Sequence, residues 1–581
     1  MKHLFASALL GLVSLTTRAQ PLYIAEIKGT AWDMVGDMAV DGQGNTILVG
    51  HFGGICDFDP GPGTMNIAAN GLYDGFVAKY DPNGALLWAG KIGGIGDQRI
   101  FTVVLDSADN IHLGGWFEQT ADLDPGPGSL LFTSAGEFDG FFSKLDPAGQ
   151  LIWASVLPNT GRSFVSDMDM SPATGDLIIT GCFLDTIDMD PSPNSYPLST
   201  DPLGAFYEKN TEFLARYTSG GALLWAKRIG GGNEGPRVSV HNDGLGNEVI
   251  NWGTVGEDDD ITTTDLDPGS GSVHPTGQGA LQPAEWIGVV QFNANGDYQW
   301  SHLIRGHRGS VGGIPEDLLA LVTDAAGNIL IAGQFDHDFT AYPNNAVTLA
   351  PFGVTNYDGF LIKLSPSGAL IWEKHMGNGA SGENESLVDI AIDATGNYWV
   401  SGVFAVGAEM DSDALGHTIG SNGEFDIAVI GFDPSGGYLY HGTVGGDWYD
   451  ASPHLCTVGS DLLLSGSYGT FQGTADLDIS SGIQSFTAID TYDAFITRFA
   501  PSISTGVVAT AQGPVAVVFP NPADHHLWLR TAVPGEAVEV FDALGQHLLT
   551  TRSGTIDVGS WSEGIYFATS HGRTERIIIQ H

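Results

Sequence analysis

The chain has 581 residues, with 68 Asp+Glu against 22 Lys+Arg and a formal net charge of −46. A surface of that sign repels nucleic acid and anionic lipid headgroups and attracts cations, which excludes DNA or RNA binding. Gly is abundant (81) and 42% of residues are hydrophobic, a balance that suits short strands, tight turns and an ample core and gives no ground for disorder.

In chain order, Lys2 and His3 precede an apolar run from Leu4 to Leu15, and Thr17-Arg18-Ala19 offers small residues for cleavage. This pattern predicts a signal peptide over residues 1–19; the run is too short to span a bilayer. No later segment approaches 18 apolar residues, so the sequence predicts an exported, soluble protein without a transmembrane helix.

From Pro21 the chain is repetitive. MAVDGQGNTILVGHF reads as two strands around a turn at Asp41–Asn45 and has close copies ending at Phe117, Phe183, Phe335 and Phe404, with looser ones at 239–252 and 457–467. YDGFVAKYDPNGALLWAGKIGG, Tyr73–Gly94, reads as a second hairpin. Pro sets the backbone and Gly accepts the left-handed conformation of its D-P-x-G turn. Its closing aromatic recurs at Trp88, Trp153, Trp225, Trp300, Trp372 and Tyr440, at intervals of 65, 72, 75, 72 and 68 residues, and is expected to wedge between blades. A period near 70 suits a four-stranded propeller blade with one long connection. Third strands count seven and fourth strands six, and PLYIAEIKG (21–29) matches the missing fourth strand. The predicted fold is therefore all-β: a seven-bladed β-propeller over residues 20–501, closed by its N-terminal strand so that no sheet edge is open.

The motifs D-x-x-G-N and D-G-F-x-x-K-x-D-P-x-G-x-x-x-W resemble the SBBP (seven-bladed beta-propeller) repeat family of bacterial surface proteins. The resemblance is best in the first, second, fifth and sixth blades. It implies a secreted, non-catalytic scaffold. After a linker at 502–514, residues 515–581 alternate apolar positions between turns, as a small β-sandwich does. Phe519-Pro520-Asn521-Pro522, Asp542-Ala543-Leu544-Gly545 and Gly564-Ile565-Tyr566 make this tail similar to the type A C-terminal sorting domain of the type IX secretion system. That likeness implies a Bacteroidota-like bacterium, passage across its outer membrane to the cell surface or medium, and the secretion machinery as a partner.

Both short turns fall on one rim, so the long connections between second and third strands, together with the crossovers between blades, form the opposite face. Ligands usually sit on such a face. Two carboxylates one residue apart recur there: Asp57 and Asp59, Asp122 and Asp124, Asp188 and Asp190, Asp265 and Asp267, Asp336 and Asp338, Asp411 and Asp413, Asp476 and Asp478. In an extended segment both point to one side and could serve Ca²⁺; equally, Asp ahead of Pro-Gly is turn chemistry. Basic residues recur in the third strand at Lys79, Lys144, Arg216, Lys363 and Arg498, where pairing with Asp74, Asp139, Asp358 or Asp493 is the expected structural role. Cys56, Cys182 and Cys456 form neither a disulfide framework nor a zinc spacing and are expected as buried thiols. No H-E-x-x-H, G-x-S-x-G or C-x-x-C occurs. The sequence thus predicts a surface binding or scaffold propeller with an extracellular protein or glycan partner. The alternative is a polysaccharide lyase or hydrolase with its site at the mouth of the central channel.

Overall fold

The computed structural model describes residues 20–200 without a break and, from 210 to 579, most of the strands and of the short turns between them. The expected signal peptide lies outside the described residues, which contain no helix. They divide into two compact units, within 1–504 and 505–581.

The first unit is a seven-bladed propeller. Blade 1 comprises an inner strand Asp33–Val40, a second Thr46–Phe52, a third Asp74–Tyr80 and an outer Leu86–Gly94, each antiparallel to the next. The inner strands of blades 2 to 7 are Gln98–Leu105, Arg162–Met170, Val240–Asn242, Asp317–Thr323, Ser386–Ile392 and Asp450–Val458. Each touches the next and the last touches the first, so the ring is closed. Blade 7 takes its outer strand from the N-terminus: Gln20–Gly29 runs antiparallel to Tyr492–Ala500, pairing Ala25 with Ile496 and Ile27 with Ala494. Closure by one strand from each end of the repeat region is as expected. The hydrophobic core is a series of clusters between blades; Phe76, Ala78 and Val35 of blade 1, for example, pack with Ala25, Leu463 and Ile496 of blade 7.

Two repeat glycines have identifiable tasks. In the D-P-x-G turn of blade 2, Gly149 has φ 80° and a Cβ there would meet the Trp88 ring of blade 1 at 3.0 Å, so glycine is required by conformation and by space. The outer-strand aromatics thus wedge against the next blade's turn; Trp225 Nε1–H also donates to Ala294 O at 3.0 Å. In the second strand, a Cβ on Gly50, Gly115, Gly181 or Gly402 would run into the carbonyl of Met34, Arg99, Phe164 or Ser386. Those carbonyls precede a β-bulge in the facing inner strand, at Val35/Asp37, Ile100/Thr102, Val165/Asp167 and Leu387/Asp389. The bulge re-aims the following side chain, and the glycine makes room for it.

The long connections differ from the variable loops expected. Five of them fold into short ribbons, such as Ile55–Asp57 with Asn66–Ala68 and Thr120–Asp122 with Leu131–Thr133. Several ribbons pair with the outer strand of the preceding blade: Lys28 with Asp57, Gly93 with Asp122, Gly445 with Asp476. Backbone groups that would otherwise be unpaired at the blade edge are satisfied this way.

Among the described residues the second unit has seven strands in two sheets. Ala516–Phe519, His526–Thr531 and Gly554–Asp557 form one; His547–Thr551, Val538–Asp542, Gly564–Ser570 and Arg573–Ile579 form the other. Val540 and Val558 are fully buried, and Tyr566 donates its hydroxyl to Ser562 O at 2.7 Å.

Candidate functional site

The third-strand basic residues form a latch on the short-turn rim. Their partners are acids at the turn between the first two strands: Lys79 with Asp41 at 2.9 Å, Lys144 with Asp106 at 2.8 Å, Arg216 with Asp176 at 3.1 Å, Lys363 with Asp324 at 3.1 Å and Arg498 with Asp461 at 2.9 Å. The expected pairing with Asp74, Asp139, Asp358 and Asp493 is corrected. Those acids open the third strand, and the base sits five residues on, about 17 Å away at strand spacing. Asp74 instead accepts the Asn70 amide at 2.9 Å and Lys91 Nζ at 2.8 Å, and Asp139 accepts the Ala135 amide at 2.8 Å. Each latch base also reaches a turn carbonyl of the following blade: Pro147, Ser219, Ala294 and Pro434, and from Arg498 of blade 7 round to Pro82 of blade 1. Blades 4 and 6 lack the base, and Gln291 Nε2 and Trp399 Nε1 donate to Asp243 and Asp393 in its place.

The paired carboxylates are built into the ribbons. Asp57 Oδ1 accepts the amides of Asp59 at 3.1 Å and Met65 at 2.7 Å, and Asp59 Oδ1 accepts Gly61 N–H at 2.9 Å. In blade 2, Asp122 Oδ1 accepts the amides of Asp124 at 3.1 Å and Leu130 at 2.7 Å, and Asp124 Oδ1 accepts Gly126 N–H at 2.9 Å. In blade 3, Asp188 Oδ1 accepts the amides of Asp190 at 3.1 Å and Tyr196 at 2.8 Å, and Asp190 Oδ1 accepts Ser192 N–H at 2.9 Å. Asp476 Oδ1 accepts the amides of Asp478 at 3.1 Å and Gln484 at 2.9 Å. Asp267 is described, whereas Asp265, Asp336, Asp338, Asp411 and Asp413 lie outside the described residues.

Asp57, Asp59, Asp122, Asp124, Asp188, Asp190, Asp476 and Asp478, the residues read as Ca²⁺ candidates or turn formers, thus all sit in ribbon turns. Among the described residues no group of three or more His, Cys, Asp or Glu side chains is placed to hold a metal ion. Each pair brings two carboxylates to its ribbon, and main-chain amides take the Oδ1 of Asp57, Asp59, Asp122, Asp124, Asp188, Asp190 and Asp476. Calcium takes six to eight oxygens, and the amide bonding seen here is Asx-turn geometry. The three thiols are unbridged, Cys56 and Cys182 buried and Cys456 half-buried, and burial pushes all three up.

An axial cavity of about 290 Å³ is lined by all seven inner strands or the residues leading into them. Its polar lining is Asp37, Asp167, Asp389, Ser166, Ser239 and His454. Sequence reading missed these residues. The available signal was the G-D-M, S-D-M and V-D-I triplets, which set an acid against the apolar alternation of an inner strand. Each acid follows a bulge and uses both oxygens on main-chain amides. Asp37 takes Met38 and, from blade 2, Val103 at 2.8 Å; Asp167 takes Met168 and, from blade 4, Val240 at 2.9 Å. Asp389 takes Ile390 and, from blade 7, Leu455, both at 2.7 Å. Burial pushes Asp37 well above the usual carboxylate range, with Asp167 and Asp389 adding to it against the Val103 amide. Burial likewise raises Asp167 and Asp389 to about 7 and lowers His454 to about 4.

On the opposite face, the Arg99 guanidinium lies 5.4 Å from the Tyr73 ring centre and 5.5 Å from that of Trp116, and it is held by Asp97 at 2.9 Å. His51 stands edge-on to Tyr73 at 5.5 Å, and burial lowers it to about 3, with Arg99 adding to the effect. Trp116 packs on Phe138, and Phe138 stacks on Phe164, so the ladder crosses three blades.

A closed ring of seven four-stranded blades, followed by a separate two-sheet unit, defines a β-propeller protein with a second, C-terminal β domain. Residues 517–580 match the family described as the secretion system C-terminal sorting domain. The tail marks the chain as type IX secretion cargo, delivered to the cell surface of a Bacteroidota-like bacterium. Among curated proteins, the chain is 22% identical over 488 residues to the uncharacterized WD repeat-containing protein L264 of Acanthamoeba polyphaga mimivirus, covering 73% of this chain and 34% of that protein. It spans about a third of that relative's length. Similar solved structures include a protein of unknown function from Dyadobacter fermentans (10% identity, 83% of this chain and 98% of that one, TM-score 0.31). Another is a protein of unknown function from Bacteroides caccae (9% identity, 63% and 89%, TM-score 0.29). A third is PorZ, a surface component of the type IX secretion system of Porphyromonas gingivalis (12% identity, 96% and 100%, TM-score 0.17). Among the described residues no helix is long and apolar enough to cross a membrane.

Proposed function

We propose that the propeller is a non-catalytic binding module of the cell surface, holding an extracellular protein or glycan on the face built from ribbons and crossovers. The observation that carries this reading is the use of the cavity acids. Asp37, Asp167 and Asp389 each spend both oxygens on backbone amides, one of them in another blade, so they act as staples of the ring. A general acid or base needs an oxygen within reach of substrate. The ribbon-and-crossover face, by contrast, presents its side chains on a rigid frame.

The test pairs binding with turnover on the full secreted chain. Glycan arrays and cell-wall pull-downs should return a retained ligand, unchanged in mass after incubation. Cleavage of a polysaccharide that disappears in Asp167→Asn or Asp389→Asn, in variants that stay folded, would replace this reading with an enzyme at the channel mouth.

A further inference from the structure

Four large apolar side chains break the repeat on one part of that face. Trp32 is 46% exposed, Ile55 50%, Leu72 69% and Ile95 71%. The segments carrying them touch. Gly53 N–H donates to Trp32 O at 3.1 Å, Thr30 N–H to Ile55 O at 2.9 Å, and Gln98 N–H to Tyr73 O at 3.0 Å. A Cβ on Gly53 would meet both Ala31 and Leu72 O, and one on Gly71 would meet Gly94 O and Gly96 O, on either side of Ile95. The four therefore surround the His51–Tyr73–Arg99 group at the junction of blades 1 and 2, with Trp32 edge-on to Tyr492 of blade 7 at 5.7 Å.

The repeat supplies an internal control. One blade further on, the matching positions are Asp97, Thr120, Glu137 and Thr160, all polar. The blade itself thus folds without apolar residues there. Exposed aliphatic and indole surface that the scaffold does not need marks an interaction site.

The surroundings choose the occupant. Glu118 lies against the Gly96 backbone, Arg99 is already neutralised by Asp97, and the chain carries −46. An apolar patch set in an acidic field complements a protein segment whose apolar side chains are flanked by lysine or arginine, and it disfavours acidic partners. We infer that Trp32, Ile55, Leu72 and Ile95 form a docking surface for such a basic, apolar protein segment. This inference rests on the binding-module reading and names the partner's chemistry.

The experiment measures fluorescence anisotropy with the full secreted chain and three labelled dodecapeptides: alternating Leu and Lys, alternating Leu and Glu, and alternating Ser and Lys. Neutral oligosaccharides serve as competitors. The Leu/Lys peptide should bind, and the other two should bind far more weakly. Leu72→Ser with Ile95→Ser should weaken Leu/Lys binding by at least about 10-fold, because two apolar contacts are lost. Leu131→Ser, which removes a 65% exposed side chain from the neighbouring ribbon, should leave it unchanged. Both variants alter exposed side chains, and an unchanged melting midpoint verifies folding. Equal binding of the Leu/Lys and Ser/Lys peptides, or equal binding by all variants, would mean attraction to net charge alone and overturn the inference. So would displacement by an oligosaccharide, or a dimer that the double variant dissolves. An array ligand whose binding ignores the double variant would also sink it, while leaving the binding-module reading intact.

Discussion

Replacing Lys79 with Met should destabilise the propeller by about 3 kcal/mol. The pair with Asp41 is buried, with side chains 5% and 0% exposed, and Lys79 Nζ also donates to Pro147 O at 3.1 Å in the next blade. Removing one member of a buried pair costs about 3–5 kcal/mol, because it leaves a charge without compensation. Here the lower end applies. Asp41 keeps the amides of Gln43 at 2.9 Å and Asn45 at 2.8 Å, together with the Asn45 side-chain amide at 2.7 Å. Met fills the space the lysine stem occupied, so no cavity term is added. With unfolding entropy of about 2.1 cal/mol/K per residue over roughly 480 residues, 3 kcal/mol corresponds to a fall of about 3 °C in Tm if the ring melts as one unit. Lys79→Gln should recover part of the loss, since Gln291 supplies a neutral donor to Asp243 at the equivalent place in blade 4. Combining Lys79→Met with Asp41→Asn should cost less than the sum of the two single changes, as coupled partners do. Differential scanning calorimetry of the parent and these variants reads all of this. A Met variant within 1 °C of the parent by that measure, or Met and Gln variants equally impaired, would show that the latch contributes nothing specific.

Deleting Gln20–Gly29 should open the edge of Tyr492–Ala500 and remove the fully buried Ile27, giving aggregation or loss of a cooperative transition; a soluble product with the parent midpoint would contradict closure by the N-terminal strand. Asp167→Asn and Asp389→Asn should each remove one component of the pH dependence of stability between about 4 and 7, a component opposed over the same range by His51 and His454, which burial lowers to about 3 and 4. Asp167 and Asp389, raised by burial to about 7, keep their protons when folded at pH values where the unfolded chain has lost them, so their contribution to stability falls as pH rises from about 4 through 7. Burial pushes Asp41 and Asp324 up, but hydrogen bonds from their Asn neighbours and the latch lysines outweigh it and hold both carboxyls below their ordinary value; that contribution is lost as pH falls below about 4. Chemical denaturation of parent and variants from pH 3 to 9 reads this, and a parent-minus-variant difference that does not change with pH would mean the cavity acids are not strained by burial. Millimolar Ca²⁺ should raise the melting midpoint no more than Mg²⁺ at equal ionic strength, because ribbon amides already engage Asp57 and Asp59; a calcium-specific gain that Asp57→Asn removes would establish a site. Without residues 515–581 the protein should accumulate in the periplasm of a type IX host, and cell fractionation showing it at the surface would refute export through the tail.

The propeller was legible because its repeat records obligatory geometry. The turn acids, the D-P-x-G glycine and the wedge tryptophan are each held by at least one contact that recurs from blade to blade, as Gly149 against Trp88 shows. The latch partners were not legible. Lys79 and Asp41 lie 38 positions apart, and only the register of the second and third strands, Ile47 opposite Lys79, brings that turn beside the base. The cavity acids escaped for a different reason. A bulge shifts the side-chain alternation by one residue, so a period-two reading assigns Asp37 to the wrong face. The ribbons escaped too, since strands of two or three residues joined by turns that carry Pro or Gly look like loops until the preceding blade's outer strand is alongside. With the ribbons unseen, the bonds that Asp124 and Asp190 accept from the amide two residues on, Gly126 or Ser192, could not be read from the sequence.

Departures from the repeat carry information that its agreements do not. In blade 6 the latch base is replaced by Gly431, and a Cβ there would meet the Trp399 ring at 2.6 Å; Trp399 Nε1 bonds Asp393 at 3.0 Å. Two positions have changed together, and the donor to the turn acid has been kept. That is a departure with a structural compensation. Blade 4 does the same with Gln291 and Asp243. The blade 1 rim has no such compensation. Trp32, Ile55, Leu72 and Ile95 stand exposed where the next blade has Asp97, Thr120, Glu137 and Thr160, and among the described contacts nothing in the fold is repaired by them. Scaffold requirements explain the first kind of change and leave the second to whatever the protein binds. The two kinds should separate in mutagenesis. Gly431→Lys with Trp399→Leu would restore the majority latch and preserve stability, whereas Leu72→Ser with Ile95→Ser on the blade 1 rim would leave stability unchanged and weaken binding.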